Sequence, residues 1–237
     1  MLRETPRHKV PGPIGPIEIA LDRPAHGLPQ GVAFVGHPHP LFGGSLDNKV
    51  AATLARVFAG LGWLAVRPNF RGVGGSAGEH DEGRGEASDL LHLIDTRREW
   101  LGSLDVAVPA EPALALAGFS FGSFVVAQAA CTLCERGTPP RVLVLAGTAA
   151  GKWPMPTLPE VLRSRTLLVH GEHDDTIALA QVFDWARPQG IPVVVFPGGG
   201  HFFHRRLTLL RDWAMQHISA HGSDEGHRAA RSVDASG

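Results

Sequence analysis

Residues 113–124 read Ala-Leu-Ala-Leu-Ala-Gly-Phe-Ser-Phe-Gly-Ser-Phe. The small and branched apolar residues at 113–117 are typical of a strand buried on both faces, and from Phe121 onward the apolar positions recur with a helical period. Ser120 lies on the tight turn between them, where flanking glycines let the chain bend sharply. A serine on such a turn has its hydroxyl clear of the sheet, and the first free N–H groups of the helix point at whatever the serine attacks. The stretch therefore predicts a nucleophile at Ser120, with a simple helix cap as the alternative.

A second Gly-x-Ser-x-Gly pattern, at residues 74–78, centres on Ser76. No apolar strand precedes it and no periodic helix follows it, and it lies in a run of glycines and charges. The surrounding strand and helix, not the pentapeptide alone, indicate a nucleophile. We therefore predict that Ser76 belongs to a loop.

The composition fits one α/β domain. The chain has 237 residues, 43% of them hydrophobic, so it can bury a substantial core. A formal net charge of −1 gives no long-range attraction to nucleic acid or to an anionic membrane. We see no signal-peptide core in the first twenty residues and no membrane-spanning run. We expect a cytoplasmic protein that acts on a small molecule and binds neither nucleic acid nor membrane.

Cys131 and Cys134 form a Cys-x-x-Cys pair in the helical pattern after Ser120. A redox pair lies at a helix N-terminus, where the dipole lowers the thiol pKa, whereas these two fall in the last turns. Their spacing puts both on one helix face. We therefore predict that they pack against the core rather than serve redox chemistry or bind a metal.

Strand and helix patterns alternate along most of the chain. Strands are predicted at 14–21, 31–36, 64–66, 113–117, 142–146, 166–170 and 191–196. Helices are predicted at about 47–61, 86–101, 121–136, 178–186 and 207–218. Short joints between such elements predict a parallel sheet with right-handed crossovers. We predict one domain over residues 13–220, a flexible N-terminal segment at 1–12 and a disordered tail at 221–237.

Two later loops carry the groups that a serine nucleophile needs, namely an imidazole to take its proton and a carboxylate to orient the imidazole. Asp174 and Asp175 follow one predicted strand. His201 follows the last predicted strand after three glycines, and His204 comes shortly behind it. Ligand sites in open α/β sheets lie at the carboxyl ends of the strands, so an acid and a base from these loops should meet Ser120. The alternative for each loop is an ordinary solvent-exposed turn, in which the Asp or His is only a turn residue.

Together, the turn at Ser120, the segment His-Pro-His-Pro-Leu-Phe-Gly-Gly at 37–44, the glycine-rich loop at 69–76 and the loop of His201 resemble the α/β-hydrolase superfamily. The likeness covers about residues 30–215 and extends to a compact, lid-less bacterial branch related to the dienelactone hydrolases. It implies an α/β-hydrolase fold, with a mostly parallel central sheet, helices on both faces and no cap domain. A serine replaces the cysteine of true dienelactone hydrolases, which argues against dienelactone as the substrate.

The resemblance also implies roles for single residues. The family's Gly-x-x-Asp pattern matches Asp174 as the acid, with Asp175 as its competitor, and the Gly-x-x-His pattern before two aromatic residues matches His201 as the base. An arginine in the position of Arg71 braces loops near the site in this superfamily. Binding of a substrate anion is the alternative role for Arg71.

Two backbone N–H groups should hold the oxyanion of the reaction. The first is that of Phe121, directly after the nucleophile. The second should come from the loop after an early strand, where Pro38 and Pro40 have no N–H to offer. We therefore predict His39 as the second donor, followed by Leu41.

The short link between the predicted strands at 142–146 and 166–170 leaves no room for a cap domain. We predict an open cleft at the carboxyl edge of the sheet, bordered by Phe42, Phe121, Trp153 and Phe202. Such a cleft favours short acyl esters or small lactones over long-chain lipid. The sequence predicts a carboxylesterase that works through an acyl-enzyme without a cofactor, with a thioesterase or lactone hydrolase on the same residues as the alternative.

Two further hypotheses explain less of the sequence. The histidines and aspartates of the loops at 37–39, 170–175 and 201–204 could form a metal site for hydrolysis by activated water. Their spacing matches no zinc motif, and a metal leaves the turn at Ser120 unexplained. The fold could also serve a non-catalytic binding module, since fold alone does not imply activity. The complete set of Ser120, Asp174 and His201 argues against this.

Overall fold

The computed structural model describes residues 5–222. Within that range the strands are β1 (Arg7–Val10), β2 (Ile17–Asp22), β3 (Gly31–Gly36), β4 (Leu64–Pro68), β5 (Ala113–Phe119), β6 (Val142–Ala146), β7 (Thr166–Gly171) and β8 (Val193–Phe196). The α-helices are α1 (Lys49–Gly60), α2 (Arg84–Asp95), α3 (Arg97–Ser103), α4 (Phe121–Glu135), α5 (Glu160–Arg163), α6 (Leu179–Ala186) and α7 (Leu207–Gly222).

The strands form one sheet in the order β1-β2-β4-β3-β5-β6-β7-β8. From β4 to β8 every neighbouring pair is parallel, whereas β1 and β2 run antiparallel at one edge. The predicted α/β-hydrolase fold with a mostly parallel sheet is confirmed, and residues 5–222 form no cap domain. Residues in β3, β4 and β6 are buried throughout, as expected for strands that helices cover on both faces.

Two apolar layers enclose the sheet. On one face α1 and α7 contribute Phe58 and Leu210 to an apolar cluster that also contains side chains of β3 and β5. On the other face, Leu90 of α2, Val125 of α4 and Val182 of α6 belong to the larger core cluster. Helices on both faces leave the carboxyl ends of the parallel strands as the open edge, and this edge carries the candidate site.

The N-terminal segment corrects one prediction. Residues 1–12 were expected to be flexible, yet β1 pairs with β2 in a register that places Val10 opposite Ile17, and Val10 is buried. The strand is hidden in the sequence because the sheet edge supplies its backbone hydrogen bonds and Val10 alone of its side chains is buried. Residues 1–4 lie outside the described residues.

The C-terminal boundary also differs from the prediction. The disordered tail was expected to begin at residue 221, but α7 continues through Gly222, which lies against the ring of Trp63. This contact adds burial at the end of the helix. The rest of the predicted tail, residues 223–237, lies outside the described residues.

The two cysteines pack partly buried against the larger core from one side of α4. Burial raises the pKa of Cys131 to about 11, and it also raises that of Cys134. A reactive or metal-binding thiol needs the opposite shift. The packing role predicted for this pair fits their surroundings.

Candidate active site

Ser120 lies between β5 and α4 with φ 54° and ψ −122°, a conformation that side-chain-bearing residues rarely adopt. Such strain costs on the order of 1–3 kcal/mol and persists where the surrounding structure enforces it. Here close packing enforces it: a Cβ on Gly118 would clash with the carbonyl of Gly122, and one on Gly122 would clash with that of Gly36. The glycines beside Ser120 are required because backbone segments touch there.

Three loops bring Ser120, Asp174 and His201 together at the carboxyl ends of β5, β7 and β8. The Nε2 atom of His201 is 2.9 Å from Oγ of Ser120. On the other side of the ring, Nδ1 of His201 is 2.7 Å from Oδ2 of Asp174. The imidazole therefore connects the hydroxyl to the carboxylate, and all three residues are buried.

Asp174 is held by more than the imidazole. Its Oδ1 accepts hydrogen bonds from the N–H groups of Thr176 at 2.9 Å and Ile177 at 2.7 Å. Burial raises the pKa of Asp174, but the hydrogen bonds from His201 and Ile177 outweigh it, so the pKa lies below its usual value. Asp175 is exposed, and its Oδ1 accepts a hydrogen bond from the hydroxyl of Thr176 at 3.3 Å. The geometry thus favours Asp174 over its neighbour.

Backbone hydrogen bonds join the loops of Asp174 and His201. The N–H of His173 donates to the carbonyl of Gly199 at 2.8 Å. The N–H of Glu172 donates to the carbonyl of Phe196 at 3.1 Å. These bonds tie the two loops to each other and so help to hold the imidazole and the carboxylate in alignment. His204 is exposed in the turn before α7 and takes no part in this arrangement.

The predicted oxyanion donors, Phe121 and His39, lie at the start of α4 and in the loop after β3. Phe121 is the first residue of α4, so its N–H is outside the hydrogen-bond ladder of the helix. His39, after β3, has its ring centroid 4.9 Å from that of Phe121. The N–H of Leu41 already donates to Nδ1 of His39 at 3.2 Å, which leaves His39 as the better second candidate.

Comparison with solved structures decides the family. The chain is similar to an α/β serine hydrolase without a lid from Xanthomonas campestris, with a TM-score of 0.75 and 33% identity over 92% of this chain and 95% of that one. This chain belongs to the α/β serine hydrolase family. The chain is also similar to an α/β serine hydrolase homologue from Coxiella burnetii, with a TM-score of 0.72 and 32% identity over 92% of this chain and 98% of that one. The predicted membership of the α/β-hydrolase superfamily is confirmed, and the relation to dienelactone hydrolases stays a prediction.

Curated relatives match the hydrolase over shorter stretches, and no family model matches it. An uncharacterised protein of Rickettsia prowazekii is 38% identical over 97 residues, which are 41% of this chain and 38% of that protein. The lysophosphatidylserine lipase ABHD12 of Gallus gallus is 31% identical over 117 residues, 47% of this chain and 28% of the lipase. The chain thus spans well under half the length of these relatives.

His37, which sequence analysis did not single out by itself, joins two loops of the hydrolase. Its Nδ1 is 2.6 Å from the carbonyl oxygen of Pro38, and its Nε2 is 2.9 Å from the backbone N of Phe70. The first contact requires an N–H on Nδ1, and the second requires a bare Nε2, so the ring is neutral. Burial lowers the pKa of His37 to about 4. The ring therefore holds the loop of His39 only in its uncharged form.

This buried ring predicts a pH dependence of stability. The unfolded chain binds a proton on His37 near its ordinary pKa of 6.5, whereas the folded protein does so only near 4. Stability is therefore full above pH 6.5 and falls as the pH drops toward 4, by about 2 kcal/mol at pH 5. Urea unfolding at pH 7 and pH 5 should show a smaller drop in His37→Asn than in the wild type, by about that amount. An equal drop in both proteins contradicts a neutral buried ring.

Arg71 and Ser76 have structural partners in the hydrolase. The guanidinium of Arg71 makes two hydrogen bonds to Asp89, from Nε at 2.7 Å and from Nη2 at 2.9 Å, which ties the glycine-rich loop to α2. This is the predicted bracing role. The hydroxyl of Ser76 donates to the carbonyl of Asn69 at 2.7 Å and accepts from the N–H of Glu18 at 3.0 Å. Ser76 thus holds a loop in place, as predicted.

Aromatic rings border the site on both sides. Phe202 packs edge-on against His201, with centroids 5.1 Å apart, and 47% of the residue is exposed. On the oxyanion side, Trp153 lies 4.9 Å from Phe121, and Phe42 lies 4.9 Å from His39. The structure thus brings all the predicted border residues to the same edge of the sheet.

Sequence analysis missed His80 in this group. Its ring centroid is 4.5 Å from that of His39 and 5.2 Å from that of Phe121. The buried carboxylate of Glu86 fixes the ring, with Oε1 2.9 Å from Nδ1 of His80. No local pattern marks His80, because it lies in a polar loop and meets its partners only through the fold.

In residues 5–222, no group of three or more His, Cys, Asp or Glu side chains is arranged to hold a metal ion. Nor does any helix of this range have the length and apolar character needed to cross a membrane.

Proposed function

We propose that the protein is a carboxylesterase that uses Ser120 as nucleophile, His201 as general base and Asp174 to orient His201. The observation that carries the proposal is the chain of two hydrogen-bond distances, 2.9 Å from Ser120 Oγ to His201 Nε2 and 2.7 Å from His201 Nδ1 to Asp174 Oδ2. A neutral imidazole so placed accepts the hydroxyl proton as the oxygen attacks an ester carbonyl.

The remaining steps follow from the same groups. The backbone N–H groups of Phe121 and His39 stabilise the oxyanion of the tetrahedral intermediate, aided by the N-terminal end of α4. His201 then donates its proton to the departing alcohol, which leaves an acyl group on Ser120. A water molecule, deprotonated by His201, attacks the acyl-enzyme, releases the acid and restores the hydroxyl.

The electrostatics of Asp174 support this role. Hydrogen bonds hold its pKa below the usual value despite burial, so the carboxylate stays charged at neutral pH. A fixed negative charge 2.7 Å from Nδ1 favours the imidazolium that forms during attack. The fold therefore places the charge that assists proton transfer before any substrate binds.

Small or short-acyl esters suit the surroundings of Ser120. The link between β6 and β7 contains the short α5 and supplies no cap over the site. Phe42, which is 87% exposed, and Phe202 offer apolar contact without enclosing a long chain. Thioesters and lactones carry the same kind of carbonyl and remain alternative substrates of the same residues.

A serine-directed fluorophosphonate probe tests the nucleophile. We expect the wild-type protein to be labelled on Ser120, and labelling to be unaffected by a chelator, because the imidazole and not a metal activates the hydroxyl. Mass spectrometry of the labelled peptide identifies the site. Ser76→Ala should label like the wild type, since Ser76 is bonded within its loop.

Activity lost on chelation would support the metal-dependent alternative instead. Absence of labelling together with absence of esterase activity would support a binding module.

A further inference from the structure

Two histidine rings lie side by side next to the predicted oxyanion donors. The ring centroids of His39 and His80 are 4.5 Å apart, and both rings pack against Phe121, at 4.9 Å and 5.2 Å. The indole of Trp153 completes the group, 5.5 Å from His39 and 6.2 Å from His80. The side chains of both histidines stay outside the steps of the proposed reaction, so their ring nitrogens have no assigned role there.

Glu86 determines the hydrogen-bonding capacity of His80. Its carboxylate is completely buried and accepts hydrogen bonds from two backbone groups, the N–H of Asp81 at 3.0 Å and the N–H of Gly83 at 2.8 Å. Nδ1 of His80 lies 2.9 Å from Oε1 of Glu86. An ionised carboxylate only accepts hydrogen bonds, so Nδ1 carries a proton. In the neutral ring, Nε2 of His80 is then bare and acts as an acceptor.

His39 has the opposite capacity. Its Nδ1 accepts a hydrogen bond from the N–H of Leu41 at 3.2 Å, which requires that Nδ1 be bare. Burial lowers the pKa of His39, and the neighbouring His80 lowers it further, so the ring is uncharged at neutral pH. The single proton of the ring is therefore on Nε2, and Nε2 of His39 acts as a donor.

Both Nε2 atoms are unused within residues 5–222. Neither has a hydrogen-bond partner in that range, and neither is among its side-chain atoms that are buried without a partner. Each atom is therefore accessible to solvent or to a ligand. His39 and His80 belong to the loops after β3 and β4, at the carboxyl edge of the sheet that also carries Ser120.

We infer that His39 and His80 bind a hydroxyl group on the acyl part of the ester, so that the hydrolase prefers esters of hydroxy acids. A hydroxyl can accept a hydrogen bond from Nε2 of His39 and donate one to Nε2 of His80. An alkyl group can do neither, and an ionised carboxylate can only accept. The inference rests on the proposed function, because it specifies the substrate class of the same site.

The geometry of the reaction indicates the acyl part rather than the alcohol. His201 donates its proton to the departing alcohol, so the alcohol has to lie beside His201. The carbonyl oxygen has to face the N–H groups of Phe121 and His39. The acyl chain is the remaining substituent of the reacting carbon. The rings of His39 and His80 both pack against Phe121, whose N–H is one of those donors.

The test compares ethyl butanoate with its 2-hydroxy and 3-hydroxy derivatives, with acid release measured in a pH-stat at pH 8. For the wild type, kcat/KM of the better hydroxy ester should exceed that of ethyl butanoate by about tenfold, because the plain ester leaves both nitrogens unpaired. In His80→Phe, which keeps a ring but removes the acceptor, this preference should fall to about twofold or less. His26→Phe is the matched control: it makes the same exchange in the exposed segment before β3, at the amino end of that strand, and should keep the wild-type preference.

An equal preference in the wild type and His80→Phe would overturn the inference, as would a wild type that favours neither hydroxy ester. NMR of the full-length Ser120→Ala variant labelled with ¹⁵N-histidine gives a second measurement that needs neither turnover nor a folded His80→Phe. It should show the ring proton of His80 on Nδ1 and that of His39 on Nε2, and a hydroxy ester should shift both Nε2 signals more than ethyl butanoate does.

The opposite tautomer in either ring, or equal shifts with all three esters, would refute the hydroxyl site. Failure of the esterase proposal is seen separately, as lack of hydrolysis of every ester by the wild type, and the NMR measurement still decides whether the two rings bind a hydroxyl.

Discussion

Replacement of Ser120 by alanine is expected to lower kcat on p-nitrophenyl acetate by on the order of 10³-fold or more. The variant retains the oxyanion donors and His201, but it has no oxygen within reach of an ester carbonyl. The residual rate would come from water, which His201 positions far less well than a covalently held hydroxyl. Steady-state kinetics at saturating substrate measure this loss, and circular dichroism should show an unchanged fold.

The matched control for this variant is Ser76→Ala. Ser76 also lies in a Gly-x-Ser-x-Gly pattern, but its hydroxyl is hydrogen-bonded to the backbone of Asn69 and Glu18. It should keep kcat within about twofold, while its stability falls by about 1–3 kcal/mol because a buried hydroxyl is lost. Retention of activity in Ser120→Ala would mean that another group is the nucleophile.

The fold and the site are well predicted from sequence where a strand and the functional residue after it lie in one continuous segment. Residues 113–124 contain both the buried strand and the strained turn, so the nucleophile position can be read from a continuous segment. Asp174 and His201 follow strands in the same way, and the strand order then brings their loops to Ser120. Their choice over Asp175 and His204 came from a family pattern, and Asp174 and His201 are in contact with each other in the structure.

Contacts between distant segments could not be predicted. β1 was missed because its stability comes from pairing with β2, not from its own polar sequence. The helix expected at 86–101 is divided into α2 and α3 at Thr96, where the indole of Trp100 donates to the carbonyl of Leu93. The ring contact between His80 and His39 joins residues that only the folded loops bring together. No periodic pattern in the sequence encodes such contacts.

Asp174→Asn is expected to lower kcat by about 10⁴-fold, comparable to the loss that the matched exchange causes in another serine hydrolase. The size of side chain 174 hardly changes, so the loss reflects chemistry rather than packing. An amide carries no charge to stabilise the imidazolium, and its N–H₂ group pushes His201 toward the tautomer with the proton on Nε2. That tautomer points a proton, not a lone pair, at Ser120 and cannot act as the base.

Asp175→Asn provides the comparison, since it makes the same chemical change one residue along the chain on an exposed side chain. Its kcat should stay within about twofold of the wild type. Steady-state kinetics on p-nitrophenyl acetate, measured for both variants at the same pH, decide between the two carboxylates. The reverse ranking would mean that Asp175 supports His201 during turnover through a loop movement. In that case the 2.7 Å contact between Asp174 and His201 would hold the loops together without taking part in catalysis.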